Sequence, residues 1–279
     1  MEPLEKRQLF SAEPTLGTAR AAALVAAVTH PKLVGAPQPT PTSLGGGWTE
    51  IFDDEFNGSS LNPVWHTAQY WDSTVTVGNG GEAAYAPGGV SVSNGKLHLT
   101  ARKSTSYGEP YVSGIVNTGG EDFNPNYPSF SFLHGYMEVR AKLPAGQGLW
   151  PAIWLMPASH NDSNGEIDAL EMMGDNPDLA YFTLHRDGNE QQMTSTGINL
   201  SSGYHTYGVD WEANFVSFYI DGKLMATITD TSLICPEAAY PIIDLAVGGW
   251  DGPPNPRTHF PATAAIDYVR IWQQDQTTA

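Results

Sequence analysis

The chain has 279 residues, only 15% of them charged, with 29 glycines and 21 prolines. That length holds one large all-β domain or two smaller ones, and the composition suits short strands and frequent turns over long helices. Thirteen basic against 30 acidic residues give a formal net charge of −17, which repels nucleic acid and anionic membrane and disfavours polyanionic substrates, since no basic cluster compensates.

Residues 1–47, rich in Ala, Pro, Thr and Gly and ending in "GAPQPTPTSLGGG", read as a pro-segment and linker, poorly ordered apart from a short helix expected over 17–30. The dibasic pair Lys6–Arg7 resembles a pro-protein processing site, and Asn57, Asn161 and Asn199 each begin a glycosylation sequon. The apolar run at 21–28 is too short for a membrane span and sits too far in for an ordinary signal peptide. These features point to a secretory pro-protein acting outside the cell. Cys235 is the one cysteine, so no intramolecular disulfide forms, and it reads as a small buried hydrophobe.

From Trp48 to residue 279 the texture is that of one β domain. "GVSVSNGKLHLTA" (89–101) predicts a hairpin around Asn94–Gly95, and "FVSFYIDGKLMATIT" (215–229) repeats the device around Asp221–Gly222. Further strands are predicted at 136–143, 180–185, 205–211 and 264–272. Many short strands without βα alternation indicate a jelly-roll sandwich of two antiparallel sheets.

"GEIDALE" (165–171) sets three carboxylates in an apolar run. Regular alternation puts Glu166 and Asp168 on one face and turns Glu171 to the other. One extra residue between Asp168 and Glu171, a β-bulge, would bring all three into one row. Four regular steps of about 3.3 Å separate the two glutamates, and with both leaning inward their carboxyls come about 5 Å apart, the spacing of a retaining glycosidase. The competing reading is a solvated outer face. Trp150 and Trp154 just upstream share a face, so both line a sugar platform or both are core.

"FDDEFNG" (52–58), "NGGEAAY" (79–85), "GYMEVRAKLPAGQGLWPAIWLMP" (135–157), "GEIDALEMMG" (165–174), "HTYGVDWEANFVSFYIDG" (205–222), "LAVGGW" (245–250) and "FPATAAIDYVRIWQ" (260–273) form an ordered series. Together they resemble the laminarinase-like branch of glycoside hydrolase family 16. The resemblance implies a concave substrate cleft, Glu166 as nucleophile, Glu171 as general acid/base, and Asp168 as the carboxylate that orients and tunes the nucleophile. It places Asn79, Glu82, Trp150, Trp154 and Trp250 along the cleft. His185 falls where the family often has a cleft histidine, and a structural histidine held by backbone is the equal alternative. Asp267 resembles a ligand of a structural calcium; no cofactor is expected for catalysis. In the free site the coupled carboxylates should retain one proton, on Glu171, and release it more easily once Glu166 is esterified.

Two departures stand out: "SGIVNT" (113–118) lacks an arginine common in the family, and "GGW" replaces "GGNW". "GEDFNPNYPSF" (120–130) reads as an extended loop at the cleft rim. The implied function is a monomeric endo-β-glucanase on β-1,3 or mixed β-1,3/1,4 glucan. The alternatives are a family 16 hydrolase or transglycosylase acting on a neutral galactan, a non-catalytic glucan-recognition protein, and a structural wall protein.

Overall fold

The computed structural model describes residues 46–69, 76–77, 81–119 and 129–275. The helix expected over 17–30, the Lys6–Arg7 pair, Asn79 and most of the loop read at 120–130 lie outside the described residues. The strands are β1 (Trp48–Asp54), β2 (Thr76–Val77), β3 (Ala83–Tyr85), β4 (Val90–Ser93), β5 (Lys96–Lys103), β6 (Tyr111–Ser113), β7 (Ile115–Asn117), β8 (Gly135–Lys142) and β9 (Leu149–Pro157), followed by β10 (Glu166–Met172), β11 (Leu179–Arg186), β12 (Asn189–Thr196), β13 (His205–Trp211), β14 (Val216–Ile220), β15 (Lys223–Ile228), β16 (Ala239–Val247) and β17 (Ala262–Gln274).

Both predicted hairpins form. Asn94 and Gly95 take φ of 53° and 67°, and Asp221 and Gly222 take 51° and 71°, the left-handed pair that lets two residues reverse a twisted ribbon. A third hairpin uses the same device at Asp187 and Gly188, φ 50° and 73°, between β11 and β12. Its second strand, "NEQQMTST", was not predicted, because it is an edge strand that is polar and exposed along much of its length.

The strands form two sheets. The larger runs β15-β14-β13-β8-β17-β5-β6-β3-β2, with β1 on β17 and β4 on β5; the smaller runs β12-β11-β10-β9-β16-β7. All pairings are antiparallel except β3 with β6. This is the expected jelly-roll sandwich. Its core lies between the sheets, where Leu97, Val139, Trp211 and Phe218 of one sheet and Ile153, Ile167, Phe182 and Leu245 of the other belong to one buried cluster. Removing such side chains from water stabilises the fold by about 1.5–3 kcal/mol each, before the entropy of ordering them is subtracted.

Among the described residues, the outer face of the smaller sheet carries an apolar cover where β7, β16 and β9 meet. There Tyr85 packs with Ile115, Met156, Tyr240 and Ile242 in a second apolar cluster. The segment carrying Tyr85 is tied down by Glu82 N–H donating to Val247 O (2.6 Å) and by a bridge from Gly81 to Gly248. The rest of that face, across β9, β10 and β11, is the cleft floor. Among the described residues no helix is long and apolar enough to cross a membrane.

On the outer face of the larger sheet, Asp210 is buried, and its Oδ1 has no hydrogen-bond partner. Burial, helped by the charge of Glu212, pushes its carboxyl up to about 6. An acid raised in the folded state makes its full contribution to stability below its unfolded value, and that contribution is lost as pH rises through about 6. Asp210→Asn should therefore gain on the wild type between pH 4 and 7, by at most about 3 kcal/mol. Thermal melts of both proteins at the two pH values check this; an equal difference at both would contradict it.

Candidate active site

β10 carries the extra residue. Against β11, Asp168 pairs with Thr183 and Glu171 with Tyr181, so two residues on β10, Ala169 and Leu170, face one on β11, Phe182. Against β9, Asp168 pairs with Trp154 and Leu170 with Ile153, again one residue in excess. Ala169 and Leu170 therefore both enter the core between the sheets, joining Ile167 and Met172. Two consecutive inward side chains leave Glu166, Asp168 and Glu171 together on the cleft face. Each remains only 8%, 3% and 5% exposed, respectively. Gly165 starts the strand at φ +127°, where an added Cβ would sit 2.9 Å from Cys235, so chain geometry and space both require glycine beside Glu166.

Each carboxylate has neighbours that fix it. The Trp150 indole donates to Glu171 Oε1 at 3.1 Å. His185 stands opposite Glu166 in the register, and its Nε2 lies 3.0 Å from Asp168 Oδ2. That approach is off the hydrogen-bond direction, leaving Oδ2 without a formal partner, so the contact is an ion pair when the ring is protonated. The other ring nitrogen faces Glu190 Oε2 at 3.3 Å. His185 is thus a cleft residue bracketed by two acids. Glu166, Asp168 and His185 bring one ligand-type atom each within 4.8 Å of one another, and regular alternation along β10 with the Glu166–His185 register accounts for the grouping.

Trp150 and Trp154 both face the cleft, half-buried. Trp150 meets Trp250 edge-on at 6.0 Å, and Trp250 lies 4.7 Å from Tyr181, giving an aromatic wall beside Glu171. Trp250 is 40% exposed, an open face on which a sugar ring can stack. Its turn is anchored by Asp251, which accepts the Gly148 N–H at 2.5 Å. Burial and a hydrogen bond that the protonated Asp251 carboxyl donates to Asp175 push Asp251 up to about 6. Glu82 is held at the end of β16 by its backbone N–H, which donates to Val247 O.

Asp267 does not join the site. It lies on β17 of the larger sheet, at a bulge against β8, where Oδ1 accepts from Lys96 at 2.9 Å and Oδ2 accepts from Arg140. Two fixed cations on one carboxylate repel a dication, so these neighbours do not fit the calcium role expected for Asp267. Cys235 is buried, and burial pushes its thiol up to about 11, which agrees with a packing role.

Sequence reasoning missed Asp244, Tyr181 and the Asp175–Asp251 pair. Asp244 had a signal: a lone acid within "PIIDLAV", sharing a face with Ile242 and Ala246. The others face the cleft only because β11 and the 249–251 turn fold beside β10, which no local pattern reveals. The Trp150 contact yields a direct test. Trp150→Phe keeps an aromatic ring and removes the N–H, so kcat should fall about tenfold with a smaller change in KM. An unchanged kcat would show that the indole does not orient Glu171.

Residues 78–270 match the glycosyl hydrolases family 16. The endo-1,3-1,4-beta-glycanase ExsH of Rhizobium meliloti is 30% identical over 246 residues, covering 81% of this chain and 52% of that protein. The beta-glucanase of Rhodothermus marinus is 30% identical over 257 residues, covering 81% of this chain and 85% of that protein. Among solved structures, the catalytic domain of an endo-1,3-beta-glucanase (laminarinase) from Thermotoga petrophila RKU-1 superposes with a TM-score of 0.70 at 27% identity, covering 81% of this chain and 98% of that one. The chain spans about half the length of the two Rhizobium proteins it matches. With its bulged carboxylate strand inside the matched span, the chain belongs to glycosyl hydrolases family 16.

Proposed function

We propose that the chain is a secreted, retaining endo-β-glucanase that cuts β-1,3 or mixed β-1,3/1,4 glucan, working as a monomer without a catalytic cofactor. The observation that carries this reading is the bulge that sets Glu166, Asp168 and Glu171 in one row on an open cleft floor. The similar proteins named as glucanases and laminarinases support the substrate class. The exposed Asn57, Asn161 and Asn199 support an extracellular life.

The chemistry follows from the row. A glucan lies along the cleft with a ring against Trp154 and others along the Trp150–Trp250 wall. Glu166 attacks the anomeric carbon with a carboxylate electron pair while Glu171 delivers its proton to the departing glycosidic oxygen. A glycosyl ester on Glu166 results, and one negative charge disappears from the cluster. Glu171, now the base, takes a proton from water; the water oxygen attacks the same carbon, and Glu166 departs as carboxylate. Two displacements preserve the β configuration. Asp168, in contact with His185 and next to Glu166 on the cleft face, favours the ester's departure.

Reducing-end release from laminarin, barley mixed-linkage glucan and neutral galactan tests the assignment. Wild type should cleave the glucans, and Glu166→Gln should lose at least about a thousandfold in rate while keeping its fold. Glu171→Gln should lose about 10²–10⁴-fold on glucan and far less on an aryl glycoside, whose leaving group needs no proton. Near-normal turnover by Glu166→Gln, or cleavage of galactan alone, would overturn the proposal.

A further inference from the structure

Asp244 is a buried acid beside the row of carboxylates that the reaction does not use. It sits on β16 beneath the cleft, 6% exposed, opposite Ala152 of β9 and Ile115 of β7. Its Oδ1 accepts the Trp154 indole N–H at 2.9 Å, and its Oδ2 accepts the Tyr85 hydroxyl at 2.5 Å. One carboxylate therefore joins the cleft-lining Trp154 to the segment that folds over the sheet end. An apolar residue would serve the packing there, since the rest of the local cluster is Ile115, Met156, Tyr240 and Ile242. A charge in such a place costs solvation, and it is retained only with partners.

We infer that Asp244 is a positioning residue for the sugar platform: its carboxylate locks the Trp154 ring, and its protonation loosens that lock, so glucan affinity is tied to pH. This rests on the glucanase reading for its ligand, and on the two hydrogen bonds to Asp244 and its burial for its device. The titratable groups around it are Tyr85 from β3 and Asp168 from β10; β9 presents Trp154 and Ala152, and β7 presents Ile115. Burial, with help from Asp244, holds the Tyr85 hydroxyl well above its usual range, so Tyr85 remains protonated throughout. Burial pushes Asp244 up to about 6; the Tyr85 and Trp154 hydrogen bonds pull it down, and the charge of Asp168 pushes it further up. Above that point both donors reach a carboxylate and both bonds are charge-assisted. Below it, the acid donates its proton to the Tyr85 oxygen and offers Trp154 a neutral carbonyl, a bond about half as strong.

Asp244→Asn is the test because the amide copies the protonated acid: its oxygen accepts from Trp154 and its NH₂ donates to Tyr85. Protein labelled with ¹⁵N at tryptophan reports on Trp154 directly through its indole resonance, identified with Trp154→Phe. In wild type that resonance should move between pH 4.5 and 7.5 with a midpoint near 6, and in Asp244→Asn it should stay still. Tyr85→Phe removes one donor from the anion and should raise the midpoint by about one pH unit. Remaining indole resonances in unchanged positions establish that each variant is folded. In a Glu166→Gln background, where oligosaccharide survives, calorimetry should give about fivefold weaker laminari-oligosaccharide binding at pH 5 than at pH 7. Adding Asp244→Asn should remove that difference. A Trp154 resonance that titrates alike in wild type and Asp244→Asn, one that fails to move in wild type, or a pH-dependent affinity that survives the substitution would each overturn the inference. The resonance experiment uses no carbohydrate, so it decides the role of Asp244 even if the chain binds no glucan.

Discussion

A strand with one residue more than its partners must turn two consecutive side chains to the same side of the sheet. β10 does this with Ala169 and Leu170, both pressed into the core. Without that doubling, Glu171 would point into apolar packing beside Phe182 and Ile153, where an acid has no water and no donor. With it, the residues before and after the bulge face the cleft together. The apolar core thus holds the row of acids in place: Ile167, Ala169, Leu170 and Met172 fix which way Glu166, Asp168 and Glu171 face. A shift of register by one residue would turn the three acids into the core.

Electrostatics sets the second constraint. Three acids in one row, with Asp244 behind them and Asp175 and Asp251 at the rim, make a strongly negative cleft in a chain of formal charge −17. The site manages this with donors rather than with counter-charges. Indole N–H groups of Trp150 and Trp154 serve Glu171 and Asp244, Tyr85 serves Asp244, and among the described cleft contacts His185 supplies the titratable cation. Cationic side chains are spent on the larger sheet, where Lys96 and Arg140 hold Asp267 and Arg270 holds Glu55 at 2.6 Å. A neutral polysaccharide suits such a cleft, because it loses no ion pair and gains aromatic faces.

Much of this was legible in the sequence, for physical reasons that differ by element. The Asn94–Gly95 and Asp221–Gly222 turns were readable because left-handed backbone selects those residues. Glu166 and Asp168 were readable from alternation, but Glu171 needed a bulge that no local propensity announces; the row became firm only through the resemblance and then the register. Trp150 and Trp154 were readable as a pair and not as cleft or core, since an aromatic on a two-faced sheet fits either. β12 escaped because edge strands keep polar side chains, and Asp244 escaped because its meaning lies in partners 159 and 90 residues away. The neighbours of Asp267 were hidden for a related reason: Lys96 and Arg140, set by hairpin and sheet pairing, meet its carboxylate from elsewhere in the chain.

In the proposed reaction Glu166 becomes covalently bonded to the sugar. A 2-deoxy-2-fluoro laminaribioside with an activated leaving group slows breakdown of such an ester enough for peptide mass spectrometry. One glycosyl unit per chain is expected, on the peptide containing Glu166, displaced on adding an acceptor sugar. A label on Glu171 or Asp168, or turnover with inverted product and no label at all, would contradict it.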